Sequence, residues 1–154
     1  MPAAIRTILV PHDFSYPAQA AFAHAQQLAR LADASIHLLH VVNAPMLHAI
    51  TPSGPVRVAL PEAVVLGARL EADRLLRAIA NGAAEDVEVH VAEGPPTEVI
   101  CRVARRVSAD LIAMGTHGGE DVADRRLGSV AERTLRQAPC PVLTVRGSPE
   151  RRGA

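Results

Sequence analysis

The residues from Met114 to Val130, MGTHGGEDVADRRLGSV, put Gly115, Thr116, His117 and Gly118 at the end of an apolar run, with Gly128-Ser129 following after nine intervening residues. That spacing suits a phosphate cradle. Glycines let backbone N–H groups approach an anion, and a Gly-Ser pair opening a helix adds a hydroxyl and the positive end of the helix dipole. An ordinary strand-to-helix loop with turn glycines has the same appearance, and spacing alone does not separate the two readings. The second group of interest is Asp13, in the loop Pro11-His12-Asp13-Phe14-Ser15. Its carboxylate can accept from an adenine amino group or a ribose hydroxyl, or it can cap the following helix, a task open to Ser15 as well.

Other chemistries are excluded by what the chain lacks. All sixteen basic residues are arginine, which removes a Walker-type phosphate lysine and Schiff-base catalysis. Any phosphate site must use backbone, hydroxyl or arginine groups. The first loop has no glycine, so it is not a dinucleotide fingerprint, and no nucleophile elbow or cysteine-histidine signature is present. Only Phe14, Tyr16 and Phe22 are aromatic, too few for a base-stacking platform, so nucleic acid is not an expected partner. Cys101 and Cys140 fit no metal or redox spacing and read as buried free thiols of a reducing compartment. His12 and His117 sit in the two loops, while His37 and His40 lie three apart on a strand and face opposite sides. No carboxylate-histidine spacing along the chain forms a zinc motif, and neither a metal ligand nor a catalytic residue is assigned.

These loops need a frame to hold them. Residues 5–11 are a short apolar β-branched run ended by proline, suited to a strand buried on both faces. Ser15 and Pro17 then open a helix over 17–32, with Ala21, Ala25, Leu28 and Ala32 at helical spacing until Asp33. A second strand spans 35–42, followed by an irregular loop holding Pro45, Pro52, Gly54, Pro55 and Pro61. Pro61 is placed as first residue of a helix to Asn81, stopped by Gly82, with Leu66, Leu70, Ala72, Leu75, Leu76 and Ile79 on one face. Arg69, Asp73 and Arg77 form an exposed ion-pair row. A strand at 86–92, a helix carrying Val99, Ile100, Val103 and Val107, a strand at 109–115, a helix from Ser129 and a strand at 141–145 complete the pattern.

Such alternation argues for an α/β fold, a parallel sheet with helices on both faces, and ligands in such sheets bind beyond the carboxyl ends of strands where strand order reverses. The 154 residues fit one domain, taken as 1–147, with 148–154 as a flexible tail. Zero formal net charge and 49% hydrophobic residues are those of a globular chain. Neither a signal peptide nor a bilayer-spanning segment is read, which places the protein in the cytoplasm.

V-P-H-D-F-S, G-P-P, M-G-T-H-G, L-G-S-V-A-E and A-P-C-P-V-L-T-V-R together closely resemble the universal stress proteins over nearly the whole chain. That family's nucleotide pattern is G, two residues, G, nine residues, then G with Ser or Thr, and Gly115, Gly118, Gly128 and Ser129 match every fixed position. The resemblance implies a five-stranded parallel sheet in order 3-2-1-4-5 and ATP or a related adenine nucleotide in its crevice, and ATP is expected with or without Mg2+. By residue matching, Asp13 and the Val41 backbone would meet adenine, Gly115 would lie near ribose, and Gly118, Gly128, Ser129 and Val130 would hold phosphates. Pro11 would shape the first loop. Many members also dimerise through the last strand, here 141–145, which gives an exposed edge a symmetric partner.

Inside the loop the sequence departs from the family, because Gly119-Glu120-Asp121 follows the second glycine and Asp124 lies close behind. Three carboxylates repel a triphosphate unless they face solvent or share a divalent cation. The leading expectation is a homodimeric, ATP-binding stress-adaptation module that is non-catalytic or hydrolyses very slowly. The alternative keeps the fold and dimer but makes the nucleotide site vestigial, leaving a regulatory interaction module. A true hydrolase or nucleotidyl transferase lacks an identifiable base.

Overall fold

The computed structural model describes residues 4–44, 47–117 and 126–147. Five parallel strands form the main sheet: β1 (Thr7–Pro11), β2 (Ser35–Val42), β5 (Val87–Glu93), β6 (Leu111–Gly115) and β7 (Val142–Val145). Their spatial order is β5-β2-β1-β6-β7. Counting only this sheet, that is the 3-2-1-4-5 arrangement implied by the family resemblance. The chain winds outward from β1 to β2 and β5, then crosses back to β6 and β7, so strand order reverses between β1 and β6.

Four helices cover the sheet: α1 (Tyr16–Ala32), α2 (Glu62–Asn81), α3 (Pro96–Arg106) and α4 (Ser129–Gln137). The alternation of each strand splits its apolar residues between two cores. Ile8, Val10, Ile36, Leu38 and Ala113 pack with Phe22, Ala25 and Leu76 on the α1/α2 side. Leu9, Leu39, Ile112 and Met114 pack with Val99, Ile100, Val103 and Ala131 on the α3/α4 side. Burial on both faces explains why the central strands read as continuous apolar runs rather than alternating ones.

Helix boundaries follow local chemistry. Ser15 caps α1, its Oγ accepting from Ala18 N at 3.3 Å, and Pro17 stands in the first turn, where its missing N–H costs nothing. Asp33 ends the helix in a left-handed conformation, its N–H bonded to Ala29 O. α2 starts at Glu62, so Pro61 occupies the cap position rather than the first helical one, and Gly82 closes the helix as expected.

Two sequence expectations need correction. The segment read as an irregular loop contains an antiparallel hairpin, β3 (Leu47–Thr51) and β4 (Gly54–Val58), paired from Leu47↔Val58 to Thr51↔Gly54. A two-stranded ribbon has no central strand, so Pro55 is tolerated there. On α2 only Ala72 and Leu76 are buried, while Leu66 and Leu70 are exposed. The helix packs over β2 and β5, with Leu76 and Ile79 of its C-terminal half in that core, while Leu66 and Leu70 of its N-terminal half stay outside it.

Candidate functional site

At the reversal point between β1 and β6 lies a cavity of about 330 Å3, within the range of small-ligand pockets, roughly 300–1,000 Å3. Its lining joins three strand ends and one helix start: Pro11 and Asp13 after β1, Val41 from β2, Gly115 closing β6, and Gly128, Ser129 and Val130 opening α4. Seven of the eight residues singled out from sequence therefore share one cavity. The eighth, Gly118, lies outside the described residues, as do Glu120, Asp121 and Asp124.

Gly128 and Gly115 are glycines for a reason that needs no ligand. A Cβ on Gly115 would lie 2.8 Å from Pro17 C and Cβ and 2.9 Å from Ala18 N, so β6 can approach the start of α1 only without a side chain. A Cβ on Gly128 would lie 2.9 Å from Thr116 O, the carbonyl that accepts from Gly128 N at 2.7 Å. The glycine pattern thus clamps α1, the end of β6 and the start of α4 into one corner.

That corner leaves donors open. Gly128 occupies the cap of α4 with no side-chain cap hydrogen bond, and the first repeating helical bond runs from Glu132 N to Gly128 O. The N–H groups of Ser129, Val130 and Ala131 are the orphan donors of the first turn, and all three residues line the cavity. With the helix dipole behind them they form an anion-binding end.

The opposite wall is held by a hydrogen-bond relay. Asp13 Oδ1 accepts from Ser15 N at 3.0 Å and from the Ser15 hydroxyl. Ser15 does the capping, so Asp13 fixes the loop while staying exposed at the cavity mouth. Behind it His12 is buried, its Nδ1 accepting from Phe14 N at 3.0 Å, which places its proton on Nε2 facing Gln19 Oε1 at 3.3 Å. Burial pushes the His12 ring below its ordinary value of 6.5, against smaller upward pulls from Gln19 and Asp13. His40 Nδ1 donates to His12 O at 2.8 Å. Phe14 sits at φ 64°, a left-handed conformation costly for a bulky residue. Its ring lies 4.7 Å from that of His40 and 5.5 Å from that of His12, centroid to centroid.

With this geometry in place, the comparisons decide the lineage. The sequence model of the Universal stress protein family matches residues 4–146. The chain belongs to the universal stress protein family. A curated universal stress protein of Methanocaldococcus jannaschii is 30% identical over 141 residues, covering 92% of this chain and 82% of that protein. Universal stress protein UspA of Lactobacillus plantarum is 27% identical, with a TM-score of 0.72 over 94% of this chain and 99% of its own. A universal stress protein solved in complex with cAMP is 28% identical, with a TM-score of 0.62 over 95% of this chain and 100% of its own.

Sequence reasoning missed part of this universal stress protein's cavity. His40, Thr116, Pro96 and Ile100 also line it. His40 sits beside Val41 on β2, but nothing in the sequence says that this strand end opens on the cavity until strand order is known. His117, left without a role from sequence, lines the cavity too. Its Nδ1 lies 3.0 Å from Thr116 Oγ1, and its buried Nε2 has no partner among the described residues. The thiols remain free: Cys101 is buried and Cys140 half-buried, and burial pushes both up from their ordinary values. No described helix is long and apolar enough to cross a membrane.

Proposed function

We propose that this universal stress protein binds ATP, with or without Mg2+, in the cavity between β1 and β6, as a cytoplasmic homodimer acting in stress adaptation without strong catalysis. One observation carries the reading: the uncapped N-terminus of α4 faces the same cavity as Asp13 and Val41. Phosphates take the orphan N–H groups of Ser129 and Val130 and the Ser129 hydroxyl, with Gly128 and, by the family pattern, Gly118 as the other phosphate-holding residues. The base lies between Asp13 and the Val41 backbone, with ribose near Gly115 and Pro11 shaping the wall. The cAMP complex of the 28%-identical relative supports an adenine nucleotide as the ligand class. The family match over 4–146 supports reading 1–147 as one domain.

Titration with a fluorescent ATP analogue, with and without Mg2+, tests this reading. Saturable binding that is lost in Gly118→Val with Ser129→Ala supports it; no saturation at millimolar nucleotide, or binding untouched by the pair, overturns it. A second reading, a regulatory interaction module with a vestigial site, is favoured by the acidic run Glu120, Asp121 and Asp124. Co-purified nucleotide seen by native mass spectrometry contradicts that alternative.

The dimer is assigned to residues 141–145. β7 is an edge of the sheet, and Ile112 N bonds to Pro141 O while Thr116 N bonds to Val145 O. Strand alternation then turns the Thr144 backbone outward. Thr144→Pro removes an outward donor and should yield monomers in analytical ultracentrifugation with unchanged circular dichroism; a persisting dimer moves the interface elsewhere.

A further inference from the structure

Away from the cavity, on the α3 side of the sheet, β2 and β5 bring together three groups that sequence spacing does not connect. His37 is in register with Glu88, and His90 follows two residues on, so all three side chains leave the same face. His37 Nδ1 lies 2.8 Å from His90 Nε2, with the rings stacked at 5.1 Å. Glu88 reaches both, Oε2 to His37 Nδ1 at 3.8 Å and Oε1 to His90 Nε2 at 3.5 Å. One ligand atom from each lies within 4.8 Å of the others. The histidine side chains are 14% exposed and the glutamate 66%.

We propose that His37, Glu88 and His90 form a binding site for a divalent transition metal of the zinc class, with a fourth position open to water. Two imidazoles and a carboxylate are the donor set of open tetrahedral zinc sites. With bonds of about 2.0–2.1 Å, tetrahedral ligand atoms stand about 3.3 Å apart. The two nitrogens therefore open by about half an ångström, and Glu88, exposed and flexible, turns to bring one oxygen to the metal where its two oxygens now face one nitrogen each. Burial, helped by His37 and Arg106, holds the His90 ring below its ordinary value, so the neutral form needed by a ligand is favoured.

Arg106, at the end of α3, opposes loading. Its Nη2 lies 3.3 Å from His90 Nδ1, and a guanidinium only donates, so Nδ1 accepts and the His90 proton sits on Nε2, facing His37. Metal at Nε2 requires that proton to leave or to move to Nδ1, which breaks the Arg106 contact. Arg106 thus competes with the metal both as a donor and as a charge.

Titration of the intact protein with Zn2+ against a chromophoric chelator, and with Co2+ followed by its visible spectrum, tests the site. One Zn2+ per chain is expected, with an intense tetrahedral Co2+ spectrum. His90→Gln and Glu88→Gln should each weaken Zn2+ by at least about tenfold, and Arg106→Gln should tighten it. Zn2+ should also raise the melting temperature of the native sequence and not that of His90→Gln. Should His90→Gln fail to fold, the exposed Glu88→Gln carries the test. Equal Zn2+ affinity in the native sequence and Glu88→Gln, weaker binding in Arg106→Gln, or an octahedral Co2+ spectrum overturns the proposal.

Discussion

The centre of the sheet and its outer flank use similar apolar residues to opposite effect. Around β1 and β6, Ile8, Leu9, Val10 and Ile112 are fully buried, sandwiched between α1 on one face and α3 with α4 on the other. On the flank, Leu70 in the first half of α2 is 64% exposed and Ile50 in the β3–β4 hairpin 91%. The cavity stands on the centre, where the strands that reach it are packed on both faces. A site of open N–H groups needs that rigidity, because donors fixed before the ligand arrives lose little freedom on binding it. Among the described residues, the hairpin and the first half of α2 contribute nothing to the cavity lining, so they are free to differ.

The contrast can be broken by substitution. Leu76→Ala removes a fully buried side chain and should cost about 2–5 kcal/mol in urea unfolding, whereas Leu70→Ala on the same helix should change stability by no more than about 0.5 kcal/mol. Equal costs would mean that the flank is covered in solution. Gly115→Ala should destabilise by about 1–3 kcal/mol, since its Cβ meets backbone and ring atoms of Pro17 and Ala18 that have nowhere to go. Thermal unfolding checks this, and a neutral result would show that α1 can back away from β6.

Ser15→Ala should cost about 1 kcal/mol through the lost cap of α1, and it also removes a donor to Asp13, so nucleotide affinity should fall in the same variant. The mildest effect is a slope with pH. His12 and His90 are both held below 6.5 in the fold, chiefly by burial, so the unfolded chain binds more protons below that value. Their contribution is fully present above pH 6.5 and is lost as pH falls through the lower folded values. Stability measured by urea unfolding should therefore decline on acidification below that point, and His12→Asn should flatten the decline without abolishing it.

Local chemistry made much of the fold legible. Continuous β-branched runs betrayed strands buried on both faces, and Ser15, Asp33 and Gly82 marked helix ends. The cavity was legible because its glycines, Asp13 and the Gly128-Ser129 helix start are sequence-local signals that strand order then gathers. What was not legible depends on neighbours. Pro52, Gly54 and Pro55 read as breakers because a lone two-stranded ribbon, which tolerates them, looks like a loop until its register is seen. Leu66 and Leu70 have the helical period of a buried face, but periodicity does not say whether anything lies beneath. His37 and His90 are separated by three intervening elements, β3, β4 and α2, and only the β2–β5 register brings them together.

The most direct measurement is a crystal grown with ATP and Mg2+. Nucleotide density between β1 and β6 is expected, with phosphates against the N–H groups of Ser129 and Val130 and the base beside Asp13 and Val41. An empty cavity at saturating nucleotide, or a nucleotide bound with its phosphates away from the start of α4, would contradict the assignment.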